Sequence, residues 1–222
     1  PELREQREAA QWRRLCDRLF VAGSTLAPLL LGLLVGNWVF ASGTLSLPSV
    51  LTAVGLLALS VANGAAFLAA KTRGRLADEM RRYGIAGTAA YLGGVVVLLA
   101  VVVVTDAGGQ ADAVLSVPGV AVVALSVVAG VAGILLARRG DDRRWFASTL
   151  ALSGLLVAFV AVLLYPTVYP PTGHTVSDVV VSPLALNLTT VLGLPVLLVV
   201  LWYFKYLYGV FSGPIDADGY GA

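Results

Sequence analysis

Apolar residues in this chain do not alternate with polar ones over short stretches. They gather into six long runs, at residues 19–40, 50–70, 83–104, 118–137, 145–165 and 184–208. Each run holds roughly 20 residues or more, enough at ~1.5 Å per residue to cross a hydrocarbon core of about 30 Å. Lipid offers no hydrogen bonds to a bare backbone, so a spanning segment is a helix or a strand of a closed barrel. Barrel strands are alternating segments of about 10 residues, which these runs are not. The pattern predicts an all-α, polytopic bundle of six transmembrane helices. The last two runs form a helical hairpin around a charge-poor loop, 166–183, that carries Pro166, Pro170, Pro171, Pro183 and the sole histidine, His174.

Composition agrees. Hydrophobic residues make up 58% and charged residues 13%, where a soluble domain carries about 25% charged. The solvent for most of the chain is lipid. A net charge of +2 is too small to point to nucleic acid. The fifteen basic residues have a telling distribution. Five precede the first run (Arg4, Arg7, Arg13, Arg14, Arg18) and five join the second to the third (Lys71, Arg73, Arg75, Arg81, Arg82). Four join the fourth to the fifth (Arg138, Arg139, Arg143, Arg144), and Lys205 ends the last run. The other three connections have none. Six spans put alternate connections on one side, and the positive-inside rule makes that side cytoplasmic. Both termini are then expected in the cytoplasm and the chain in the cell membrane. Three parts follow: an interfacial amphipathic segment, 1–18, with Trp12, Leu15, Cys16 and Leu19 at helical spacing; the six-helix domain, 19–211; and a flexible tail, 212–222. The chain opens on Pro1 without a signal-peptide shape, and an N-terminal portion is expected to be missing.

Small residues repeat at four-residue spacing inside the runs: Gly32 and Gly36; Ala86, Ala90 and Gly94; Ala129, Gly133 and Ala137. Such stripes let membrane helices approach closely. Apart from Lys205 at the end of the last run, the run interiors contain no Asp, Glu, Lys, Arg or His, the usual mark of proton and ion paths. Their polar residues, among them Asn37, Asn63, Thr88, Tyr91 and Asn187, read first as interhelical hydrogen bonds. A haem needs axial His, Met, Cys or Tyr. His174, Met80 and Cys16 all fall outside the spans, which leaves Tyr91. One cysteine excludes an internal disulfide and a multi-cysteine metal site. Trp202, Tyr203, Phe204, Tyr206 and Tyr208 crowd one end of the last run, as an interfacial aromatic belt does. Candidate ligand contacts are Asn63, Tyr91 and Trp202; no catalytic or metal-binding residue stands out. Residue chemistry by itself leaves a small secondary transporter, with helices broken at Pro28 and Pro195, or a membrane scaffold or assembly protein.

Three separated stretches narrow this. "LLYPTVYPPTG" (163–173) with "SPLALNLTTVLGLPVLLVVLWYFKYLYGVF" (182–211) resembles the end of subunit II of the cytochrome bd quinol oxidases. Tyr165, Pro166 and Pro170 match the family's loop, Asn187 its helix start and Pro195 its mid-helix proline. "NGAAFLAAKTRGRL" (63–76) resembles a helix end of the family, with Lys71 and Gly74 in step. The segment 4–37 does the same through Trp12, Asp17, Ser24, Pro28 and Gly32. A methionine usual near the last helix start is replaced at Thr189. The resemblance implies the last six of nine helices in a non-haem-ligating subunit that supports subunit I, which holds haem b and haem d, in quinol oxidation by dioxygen. This chain alone would bind no cofactor beyond a structural quinone. The implied partners are subunit I, small accessory subunits, a separate chain supplying the first three helices, lipid and quinol, and no nucleic acid.

Overall fold

The computed structural model describes residues 10–179 and 182–210. Six helices in it are long and apolar enough to cross a membrane. They are α1 (Ala10–Phe40), α2 (Leu47–Lys71), α3 (Arg75–Thr105), α5 (Val117–Arg138), α6 (Asp142–Leu164) and α8 (Pro183–Val210). Two short helices, α4 (Ala111–Leu115) and α7 (Val176–Val179), lie in the connections. The spans thus sit where hydropathy put them, with longer ends. Residues 10–18 are the opening turns of α1, continuous with the span rather than an element of their own. Residues 1–9 and the tail 212–222 lie outside the described residues. Arg75 to Arg82, read as connection, are helical and begin α3.

Local chemistry sets the helix ends. Ser46 caps α2 and Ser116 caps α5, each accepting a backbone N–H three residues on, and each is followed by a proline in the first turn, where its missing N–H costs nothing. Asp141 caps α6 by accepting from Arg144 N. α2 stops at Thr72, whose hydroxyl donates to Leu68 O at 2.7 Å. Gly74, at φ +70°, then turns the chain into α3. Asp106 ends α3 in a left-handed conformation, and its carboxylate accepts from Ala111 N at 3.1 Å.

α2 is the centre of the bundle, packed against α1, α3 and α6, while α5 lies on α6 and α3. Burial gives little drive between helices in lipid, so close fit decides the pairs. Gly32 and Gly36 press α1 onto α2: a Cβ on Gly32 would run into the Ala53 backbone, and one on Gly36 would lie 2.6 Å from Ser49 Cα. The stripe on α5 also faces inward, with Gly133 and Ala137 buried. The stripe on α3 does not. Ala86 and Ala90 are exposed, and α3 packs instead through Gly84, Gly87, Thr88 and Tyr91. Three buried clusters stack along the bundle. Val39, Phe40, Val102, Val114 and Leu163 lie at one end; Leu59, Tyr91 and Leu152 in the middle; Ala65, Ala66, Ala69, Ala137 and Trp145 at the other.

The connection after α6 folds into a small hairpin, β1 (Thr167–Tyr169) with β2 (His174–Thr175), entered through a cis Tyr165–Pro166 bond. Trp38 Nε1 donates to Val168 O at 3.0 Å and pins this hairpin to the end of α1. α8 then runs apart. Every residue from 183 to 206 is exposed. Pro28 and Pro195 sit inside helices that continue through them.

Candidate functional site

Three places concentrate chemistry. Between the helices, Asn63 on α2 donates through Nδ2 to Ser153 Oγ on α6 at 2.9 Å, and Ser153 donates on to Thr149 O at 3.2 Å. The Asn63 Oδ1 is buried and accepts no hydrogen bond among the described residues. Leu59, one turn from Asn63 on α2, packs with Leu152 and with Tyr91, which is 3% exposed. Beyond Tyr91, between α1, α2, α3 and α6, opens an apolar slot of about 240 Å³, lined by Leu31, Val35, Gly55, Val95, Leu156 and Val160 among others. That is below the roughly 300–1,000 Å³ of ordinary small-molecule pockets. Thr52, in its wall, already donates to Pro48 O at 2.8 Å. The slot suits an aliphatic chain and presents nothing to the carbonyls of a ring. Trp202 does not join it: it is 68% exposed on α8, stacked on Tyr206 with centroids 6.3 Å apart.

At the end where Lys71 and Arg143 lie, a wider cleft of about 900 Å³ separates the α2–α3 turn from the α5–α6 turn. Arg81 bridges it, with Nε and Nη2 on the two oxygens of Asp142 at 2.8 and 2.7 Å and Nη1 on Asp78 at 2.6 Å. Planar bidentate pairing of this kind suits a guanidinium. Arg73 and Arg143 line the same cleft, so the two basic connections share a face of the bundle, as their alternation required. At the opposite end Leu34, Asn37, Trp38 and Tyr169 line a third cavity, of about 410 Å³, beside the hairpin.

The remaining residues with family resemblance are spread along the bundle. Trp12 is half-buried and Asp17 exposed on α1; Lys71 ends α2; Gly74 caps α3. Tyr165 and Pro166 follow α6, Pro170 turns the hairpin, and Asn187 and Pro195 are exposed on α8. They fall at turns, at helix ends and, for Asp17 and Pro195, inside helices, rather than in one cluster. Sequence reasoning missed Arg81 and Asp142, because the pair is 61 residues apart in the chain. The signal present was two acids, Asp78 and Asp142, among the clustered arginines.

Side chains able to ligate haem iron are scattered. His174 lies in the hairpin, Met80 packs beside Trp145, and Cys16 is near the start of α1. Tyr91 is enclosed by apolar side chains. This donor set does not fit a haem. Among the described residues no three of His, Cys, Asp and Glu gather as a metal site would need.

A comparison with curated proteins gave no match. The family model for cytochrome bd terminal oxidase subunit II matches residues 1–211, nearly the whole chain. With its six membrane-spanning helices, the chain belongs to the cytochrome bd terminal oxidase subunit II family and is a membrane subunit of a haem-containing respiratory oxidase complex.

Proposed function

We propose that this chain is the non-haem-ligating subunit of a quinol:dioxygen oxidoreductase, supporting a subunit I that carries haems b and d. The observation that carries this reading is the scatter, among the described residues, of the side chains able to ligate iron. The chain's contribution is positional: it walls the redox centres of its partner with a low-dielectric bundle, while the cofactors perform the electron transfer. The exposure of α8 from residue 183 to 206 supports a neighbour in the membrane, since a helix surface left uncovered by the described residues is free to pack elsewhere. The basic face is the cytoplasmic one in this reading, by the positive-inside rule, and places both termini there. The slot beside Tyr91 holds the tail of a structural quinone or lipid; Asn63 lies outside its wall, bonded to Ser153, and Trp202 belongs to the aromatic belt.

A transporter reading finds no support in the helices. It required α1 and α8 to break at Pro28 and Pro195, and both are continuous. The test is purification in mild detergent. Haem-bearing polypeptide should co-purify, and the chain separated from it should show no stoichiometric haem in its visible spectrum. A haem retained by the separated chain overturns the proposal.

A further inference from the structure

The cleft between the α2–α3 and α5–α6 turns has a charge balance that its internal ion pairs leave incomplete. Three carboxylates line it, and each is engaged. Asp142 and Asp78 share Arg81; Asp141 caps α6 and meets Arg144 at 3.3 Å. Lys71 lines it as well, and so do Arg73 and Arg143, which are both exposed and in no ion pair among the described residues. The cap of α3 is Gly74, which has no side chain to accept from the N–H groups of the first turn. Those groups and the positive end of the helix dipole favour an anion. The floor is apolar: Phe67 and Phe146 meet with ring centroids 5.6 Å apart, beside Ala69 and Ala77. A cationic rim over an aromatic floor, at the point where two spans leave the hydrocarbon, matches a phosphate followed by acyl carbons. A free anion would use the rim and leave the floor bare.

We propose that this cleft binds the headgroup phosphate of an anionic membrane lipid, with Arg73 and Arg143 as its charged contacts and its first acyl carbons against Phe67 and Phe146. The assignment goes beyond the oxidase reading and does not depend on it.

The experiment takes the full chain, with whatever co-purifies, into nanodiscs of phosphatidylcholine with or without phosphatidylglycerol. Native mass spectrometry then counts lipid that survives stripping of the bulk. Wild type should keep one phosphatidylglycerol and no comparable phosphatidylcholine. The double variant Arg73→Gln/Arg143→Gln should bind it about thirtyfold more weakly, on the scale of two juxtamembrane cations. The control Arg14→Gln/Arg18→Gln removes the same charge from exposed positions near the start of α1 and should keep the lipid. Equal retention by wild type and the cleft variant overturns the proposal, as does equal loss in the control. Displacement of the lipid by millimolar inorganic phosphate would make the ligand a free anion and overturn it too.

Discussion

Trp145 shows how single atoms hold this bundle. Its ring is fully buried near the start of α6 and lies against Gly84 of α3, where a Cβ would run into the benzo edge; Gly133 of α5 lies on its other side. Its Nε1 finds no acceptor among the described residues, so shape rather than hydrogen bonding places it. Gly84→Val should lower stability by about 1–3 kcal/mol, the usual cost of overpacking a tight contact. Adding Trp145→Phe, which removes the clashing edge, should recover part of the loss. Thermal unfolding of the three variants in one detergent checks this; an unchanged midpoint for Gly84→Val would refute it.

Asp178, in the hairpin connection, accepts from both the N–H and the hydroxyl of Thr175, at 2.9 and 2.7 Å. These bonds hold its carboxyl below the usual range. A lowered folded-state value stabilises the hairpin above the ordinary aspartate range of about 4. That stabilisation is lost as pH falls through the lower, folded value. Thr175 amide protection from hydrogen exchange, corrected for the intrinsic pH dependence of exchange, should therefore weaken on acidification. In Asp178→Asn it should be weak at every pH.

At the scale of elements, hydropathy located the spans to within a few residues at most ends, because transfer from water to lipid adds up locally along the chain. The hairpin after α6 was less legible. Its prolines announced a loop, but its position depends on Trp38, which reaches Val168 O across 130 residues of sequence. Trp38→Phe keeps an aromatic ring, though a smaller one, and removes the donor. It should cost about 1 kcal/mol, the net worth of one such hydrogen bond, and raise exchange across β1 and β2 while leaving α1 protected. Uniform protection in the variant would show that the hairpin holds itself. The packing stripes divide for a related reason. Gly32/Gly36 and Gly133/Ala137 meet a complementary surface, whereas Ala86 and Ala90 have the same spacing and are left exposed by the described residues.

At the scale of the molecule, α1 to α3 and α5 to α6 are joined through α2 on α6, α3 on α5, the Asn63–Ser153 bond and the Arg81–Asp142 bridge. The bridge is partly shielded, with side chains 27% and 15% exposed. Asp142→Asn leaves Arg81 with only the more exposed Asp78 and should cost about 1–3 kcal/mol, the range for a charge-assisted bond left unmade. A double-mutant cycle with Arg81→Gln should show coupling between the two; additive losses would mean the bridge does not join the halves. The outer clusters and the bridge include no described residue of α8.

The amino-acid order by itself determined how many times the chain crosses the membrane and which connections share a face. Both follow from local costs, of burying peptide groups and of moving a cation through lipid, that need no knowledge of neighbours. The tertiary structure decided which face of each helix packs, that Arg81 meets Asp142, and that a slot and a cleft open where they do. Those outcomes depend on the fit between surfaces far apart in the chain. A repeat of small residues announces that a close approach is available, and only the helix across from it determines whether the approach is made.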